Sequence, residues 1–222
     1  MTEGKGVAIY GAGGFAREVA WLLSAASPSP VEVVGYIDDR PDRKPEINGM
    51  PVFSLDWLAS HRPDATIVVA IGKPATRESV VSKCASRGFG FYTAVHHSVE
   101  VSPFVSVGGG SIICSGSILT VNIEIAQHVH INLDCTIGHD VRIGQYATLS
   151  PGVHVSGNVH IGEGVFIGTG AAIVNGADSD PLCIREGTVI GAGACVIGST
   201  EPRSLYVGVP AKLKTRLDPD GG

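Results

Sequence analysis

The stretch Ile125-Ala-Gln-His-Val-His-Ile131-Asn-Leu-Asp-Cys-Thr-Ile137-Gly-His-Asp-Val-Arg-Ile143-Gly-Gln-Tyr-Ala-Thr-Leu149 returns an aliphatic residue at every sixth position. Followed outward, the rhythm runs without a miss from Val101 to Ile173, and it resumes at Ile184, Ile190 and Val196. Glycine often follows the aliphatic, as at Gly108, Gly138, Gly144, Gly162, Gly168 and Gly191. The fifth position of each unit is small or valine, as at Ser111, Ser117, Cys135, Ala147, Val153, Val165 and Ala171. A period of six matches neither the helical repeat of 3.6 nor the alternation of a plain strand. It matches a solenoid whose coil has three short sides, one hexapeptide each, with the aliphatic pointing into a narrow core. The predicted architecture is a left-handed parallel β-helix, an exception to the usual right-handed crossover. A β-sandwich would instead show turn signals every 8–12 residues or so.

The rhythm breaks once. Ile173 and Ile184 are 11 residues apart, where two hexapeptides need 12. Ala177-Asp-Ser-Asp-Pro-Leu-Cys183 is therefore expected to leave the coil as a loop, and loops on a regular scaffold tend to carry function.

Residues 1–96 read differently and predict a Rossmann-like α/β half domain ahead of the prism at 97–222. Val7–Tyr10, Val31–Ile37 and Thr66–Ile71 look like strands. Ala16–Ala25, Ser54–Ser60 (from a serine cap) and a segment from Pro74 to about Arg87 look like helices, and Phe91–Val95 closes the set. Gly11, Gly13 and Ala16 satisfy G-x-G-x-x-G/A between a strand and a helix, with Ala12 and Gly14 completing the turn. Such a turn lets an anion approach the free N–H groups of the helix start. Asp38, with Asp39 beside it, ends the next strand, where a carboxylate can bind a ribose or sugar hydroxyl. Gly72-Lys73 after the third strand joins the candidate ligand residues. An NAD site would need two mononucleotide halves, and the segment has room for about one. A nucleotide-linked small molecule suits it better, and a glycine turn without a ligand stays open.

Composition narrows the function classes. The chain of 222 residues carries a formal charge of −5, which argues against a nucleic-acid binder. No apolar run of signal-peptide or membrane-spanning kind is present, which predicts a cytoplasmic protein without a membrane partner. The five cysteines lack a C-x-x-C pair and are expected to be reduced, with Cys135 at an inward position of the core. Five histidines fall in the repeat: His128, His130, His139, His154 and His160. Three hexapeptides make an 18-residue coil, so only residues 18 apart stack, and no two of these histidines do. A metal site within one chain is not expected. A site shared between chains, as in γ-class carbonic anhydrases, stays open. His139 stands out because Asp140 follows it directly. A carboxylate partner fixes an imidazole's orientation and raises its basicity. A catalytic base and a plain surface histidine at a coil corner both fit that context.

Gly11-Ala-Gly-Gly-Phe-Ala-Arg-Glu-Val19, Ile37-Asp-Asp39, Ile131-Asn132, Gly138-His-Asp140 and Tyr206-Val-Gly-Val-Pro-Ala-Lys212 together resemble the sialic-acid O-acetyltransferase-like hexapeptide transferases. This family includes nucleotide-sugar N-acetyltransferases. The resemblance covers nearly the whole chain. It implies an acetyl-CoA-dependent N-acetyltransferase acting on a nucleotide-linked amino sugar, for bacterial surface glycan synthesis, with no metal. It implies His139 as general base, Asp140 as the residue raising its basicity, and Asn132 near the acceptor sugar. It points to a homotrimer with sites between chains. Acetyl-CoA is expected along the prism, with the Gly157 N–H holding the oxyanion. The pantetheine would lie on Gly168-Thr169-Gly170 and Gly191-Ala192-Gly193. Lys212 would meet CoA phosphates or serve as plain surface charge. Some relatives carry a second histidine nine residues after the base; Thr148 stands there. The loop at 177–183 would touch CoA or the next subunit. O-acetylation of a sugar hydroxyl is the alternative activity, and a non-catalytic nucleotide-sugar-binding protein is a further one.

Overall fold

The computed structural model describes residues 6–25 and 31–218, and the chain divides into two compact units between His97 and Ser98. In the first unit, β1 (Val7–Tyr10), α1 (Gly14–Ala25), β2 (Val33–Ile37), β3 (Glu46–Ile47), β4 (Met50–Phe53), α2 (Leu55–His61), β5 (Thr66–Val69) and α3 (Pro74–Ala85) follow in order. The sheet order is β3-β4-β2-β1-β5, parallel except for β3. This is one Rossmann-like half domain with an antiparallel edge ribbon. Its strands are apolar because both faces are covered: Val7, Ala8, Ile9, Ile37, Ile67 and Val68 are buried. Ser54 caps α2 as expected, its side chain accepting from the Trp57 N–H at 3.2 Å.

The β3–β4 ribbon goes beyond the expected elements. Asn48 and Gly49 link its two strands, both at positive φ (50° and 77°). That conformation suits a two-residue hairpin turn, and Asn-Gly is its usual sequence. Two elements are shorter than expected. β2 starts at Val33 rather than Val31, and β5 ends at Val69 rather than Ile71. α1 opens two residues earlier, at Gly14. Of Phe91–Val95, Phe91 bridges to Ile67 and Ala94–Val95 is extended.

In the second unit every hexapeptide contributes a two- or three-residue strand, and the strands form three parallel stacks. The first face carries Glu100–Val101, Ile118–Leu119, Thr136–Ile137, His154–Val155, Ala172–Ile173 and Cys195–Val196. The second runs from Val105–Val107 to Leu182–Ile184, and the third includes Ile112–Ile113, His130–Ile131, Thr148–Leu149, Phe166–Ile167 and Val189–Ile190. Registers such as Ile137↔Val155 and Ile131↔Leu149 fix the coil at 18 residues. The aliphatics from Ile113 through Ile173 are buried, and so are Ser111, Ser117, Cys135, Ala147, Val153, Val165 and Ala171. Burial pushes the Cys135 thiol up to about 11, so it is a small core residue rather than a nucleophile.

The corners explain two kinds of glycine. The third residue after most of the aliphatics turns through positive φ, as at Gly170 (68°), and Asn122, Asp134, Asp140 and Asn158 take the same position. Asparagine and aspartate tolerate it better than other side-chain-bearing residues. The glycine directly after the aliphatic serves close approach instead. A Cβ at Gly138 would lie 2.8 Å from the Gly157 nitrogen on the next coil.

The break in the rhythm is a bulge. Ala177 and Asp180 exchange backbone hydrogen bonds at 3.0 Å, and the register changes to Ile161↔Ile184. Contrary to expectation, Leu182 and Cys183 are not part of the loop but return to the second face as a strand. After Val196 the chain closes with Ser204–Val207 and an antiparallel partner, Lys212–Arg216.

Candidate active site

His139 and Asp140 sit at the corner between the first and second faces. His139 Nδ1 lies 2.8 Å from Asp140 Oδ2. With Nδ1 carrying the proton and donating to the carboxylate, Nε2 is left with its lone pair for proton transfer. The hydrogen bond from His139, and then one from Asn122, hold the Asp140 carboxyl below the usual carboxylate range. The pair is half exposed, with His139 at 56% and Asp140 at 45%. One coil above, buried Gly157 faces the ring directly: a Cβ there would lie 2.4 Å from His139 Cε1 and Nε2. Gly157 is therefore glycine because the imidazole occupies the space of a side chain. Among the described residues its N–H donates no hydrogen bond, while its carbonyl accepts from Gly176.

The same corner holds residues that the sequence reading passed over. Asn122, 18 residues before Asp140, donates to Asp140 Oδ1 at 3.0 Å. Asn158, 18 residues after, donates to Asp178 Oδ1 on the bulge at 2.8 Å. The signal was the coil length itself, applied to histidines alone.

The other expected prism residues lie elsewhere. Asn132, Thr169, Gly170, Gly191 and Ala192 belong to the corner between the third and first faces, so within one chain a whole face separates them from His139. Asn132 spends its amide on the Leu149 carbonyl at 2.8 Å. Thr148 is on the third face and only 2% exposed. Gly170 and Gly193 have nothing within 4 Å of an added Cβ, which leaves open backbone for a narrow ligand to lie against. Lys212 is exposed on the last strand.

In the first unit, Gly11 has φ of 118° and packs near the Ala70 carbonyl, whereas Gly13 has nothing within 4 Å of an added Cβ. Gly14 opens α1, and a cleft of about 360 Å³ is lined by Ala12, Arg17, Asp38, Arg40, Asp42, Arg43, Lys44 and Ile47. Four cations against two carboxylates give it a net positive lining that favours an anion. The cluster Arg40-Pro-Asp-Arg-Lys44 was its visible but unused signal. Asp38 is gripped by Arg40, whose Nη2 lies 2.7 Å from Oδ2, and that pairing holds its carboxyl low. Asp39 does not line this cleft. It accepts from Tyr10 (2.6 Å), Lys83 (2.6 Å) and the Leu55 N–H at the start of α2 (2.8 Å). Gly72 and Lys73 also lie outside it, in a loop whose Ile71 and Gly72 carbonyls are held by the buried Arg77 guanidinium. Among the described residues no group of three or more histidines, cysteines and carboxylates is placed to hold a metal ion, and no helix is long and apolar enough to cross a membrane.

A Rossmann-like half domain joined to a left-handed β-helix with a His–Asp pair at a coil corner defines a class, the hexapeptide-repeat acyltransferases. The pattern of the PglD N-terminal domain matches residues 6–84, and that of the bacterial transferase hexapeptide (six repeats) matches residues 140–175. A comparison with curated protein sequences finds no match. Among solved structures, WeeI from Acinetobacter baumannii AYE is 33% identical with a TM-score of 0.87, covering 94% of this chain and 99% of its own. The acetyltransferase domain of PglB from Neisseria gonorrhoeae FA1090, in complex with acetyl coenzyme A, is 30% identical with a TM-score of 0.84, covering 95% and 99%. PerB from Caulobacter crescentus, in complex with CoA and GDP-perosamine, is 31% identical with a TM-score of 0.84, covering 94% and 97%. The chain belongs to the nucleotide-sugar N-acetyltransferase family of left-handed β-helix proteins.

Gly157→Ala leaves an allowed backbone but drives a methyl into the imidazole. The protein should keep its melting temperature, while the His139 side-chain NMR signals shift as the ring leaves Asp140. Unchanged His139 signals would show that the ring does not depend on Gly157.

Proposed function

We propose that the protein transfers the acetyl group of acetyl-CoA to the amino group of a nucleotide-linked amino sugar. The observation that carries this is the 2.8 Å contact of His139 Nδ1 with Asp140, which leaves Nε2 as the proton acceptor. The complexes of the PglB domain with acetyl coenzyme A and of PerB with CoA and GDP-perosamine support both substrates.

His139 Nε2 takes the proton that the amine loses as its nitrogen bonds to the thioester carbonyl carbon. The C–S bond then breaks and the CoA thiolate leaves. A thiol pKa near ~8.5 makes it a good leaving group, so no covalent enzyme intermediate is needed. The free Gly157 N–H is the candidate donor to the oxyanion. Asp140 holds the ring and balances the imidazolium. In the first unit, Gly13, Gly14 and Arg17 receive the diphosphate at the start of α1, and Asp38, held by Arg40, faces the rest of the nucleotide.

His139 and the glycine-rich corner occupy different edges of one prism, so a site using both takes one edge from each of two chains. A closed cyclic trimer supplies that arrangement three times over. Light scattering should give a mass of about three times 22.9 kDa, and a monomer at working concentration would refute the shared site.

Gly13 has open space around it, so Gly13→Val should fold normally. It should lose the thermal stabilisation given by nucleotide sugars and keep that given by acetyl-CoA. Loss of both would count against a separate nucleotide site.

Removal of a general base costs roughly 10²–10⁴-fold in rate. His139→Ala should lower kcat by at least about 10² with Michaelis constants little changed, because the base acts in the transition state. Asp140→Asn should cost less. Without the carboxylate the protonated ring is less stabilised, so the acid limb of the pH–rate profile moves to lower pH. Near-normal kcat in both folded variants would remove the catalytic assignment.

A further inference from the structure

We propose that Asn122 is a positioning residue that fixes the Asp140 carboxylate against His139, from the coil below. The inference rests on the reading of His139 as the base, but its test does not. Asp140 has two oxygens and each has one directed partner: Oδ2 meets His139 Nδ1 at 2.8 Å, and Oδ1 accepts from Asn122 Nδ2 at 3.0 Å. The torsion that turns a carboxylate about its own axis is broad and soft. A single partner on Oδ2 leaves that torsion loose. A second partner on the other oxygen, anchored to a separate coil, pins the plane of the group and with it the ring.

The anchoring is rigid because the coils are in register. Asn122 and Asp140 are 18 residues apart, both at φ of 56°, and the Asp140 N–H donates to the Val121 carbonyl at 3.1 Å. The bland explanation is that a left-handed corner simply accepts asparagine. That explains the residue type, not the direction of its amide. Asn158, in the same corner conformation (φ 57°) one coil above Asp140, turns its amide to Asp178 instead. Only the lower asparagine is committed to the carboxylate.

The charged and titratable groups around Asp140 come from four further segments: Glu124, Arg142 and His160 on three successive strands of the second face, and Asp178 on the bulge. Glu124 and Arg142 face each other at 3.6 Å, and Asp178 is held by Asn158. None of them has a hydrogen bond to Asp140, so the amide of Asn122 is the carboxylate's second directed partner.

The test is a pH titration of the His139 ring followed by NMR in the full-length protein without substrates. It compares wild type, Asn122→Gly, Asp140→Asn and the double variant. Glycine accepts the corner's positive φ, so Asn122→Gly removes the amide without backbone strain. Asn122→Ala is a second way to remove the donor, and melting temperatures confirm the fold. Asn122→Gly should move the titration midpoint of His139 down by about 0.5 pH unit, a factor of about 3 in its protonation equilibrium. The shift should have the same direction as in Asp140→Asn. The double variant should match Asp140→Asn alone, because Asn122 acts through the carboxylate. Asn158→Gly, the control at the equivalent corner, should leave the midpoint in place. A midpoint unmoved by Asn122→Gly and Asn122→Ala would overturn the proposal. So would a shift that adds in full to that of Asp140→Asn. Full activity in His139→Ala would instead overturn the general-base reading, and the two failures are told apart.

Discussion

An inward aliphatic side chain at every sixth position is the constraint on which the prism depends. Three hexapeptides enclose a core only one layer of side chains wide, so each coil must repeat the one below it. Burial of a large aliphatic contributes roughly 1.5–3 kcal/mol per side chain, and the column from Ile113 to Ile173 sums many such terms. No single coil closes the core alone, since its aliphatics are covered by those above and below. The same requirement pulls the corners so close that glycine must follow the aliphatic at Gly138.

That register turns sequence distance into spatial neighbourhood. Before the bulge, outward residues 18 apart lie side by side on adjacent coils. The candidate site follows from this rule: Asn122 below, Asp140 beside His139, Asn158 above, and Gly157 directly over the ring of His139. The first unit works on a different principle. There one helix start and a group of arginines and a lysine gather on a small parallel sheet, and Asp39 joins β1, α2 and α3 through Tyr10, the Leu55 N–H and Lys83.

Much of this was legible in the chain. The period gave the prism, the alternation of elements gave the half domain, and Gly138-His-Asp140 gave a histidine in contact with its neighbouring carboxylate. What escaped did so for physical reasons. Asn48-Gly49 is a hairpin signature, but the strands on either side of it are short and Met50–Phe53 includes a proline, so the ribbon was hidden. Asp38 and Asp39 look equivalent in sequence. Strand alternation sends them to different surroundings, and only long-range contacts reveal that Asp39 is a tie between elements. The grouping of Asn132, Thr169 and Ala192 on an edge apart from His139 was available from counting in sixes. So was the pairing of Asn122 with Asp140. The arginines of the cleft were plainly visible, but a run of charge after a strand more often marks a solvated loop.

The bulge at 174–181 bears on how such a chain can change its length. One residue lost within a coil would turn every later aliphatic outward, so the repeat behaves as a reading frame. At this corner the chain takes on five extra residues, since Ile161 pairs with Ile184 rather than with a residue 18 further on. The later coils nevertheless fall back into phase, with Ile167 opposite Ile190 and Ile173 opposite Val196. Insertions are thus confined to corners, where the core does not register them. This corner also carries His139 and Asp140, so the extra residues lie at the corner of that pair and leave the scaffold unchanged.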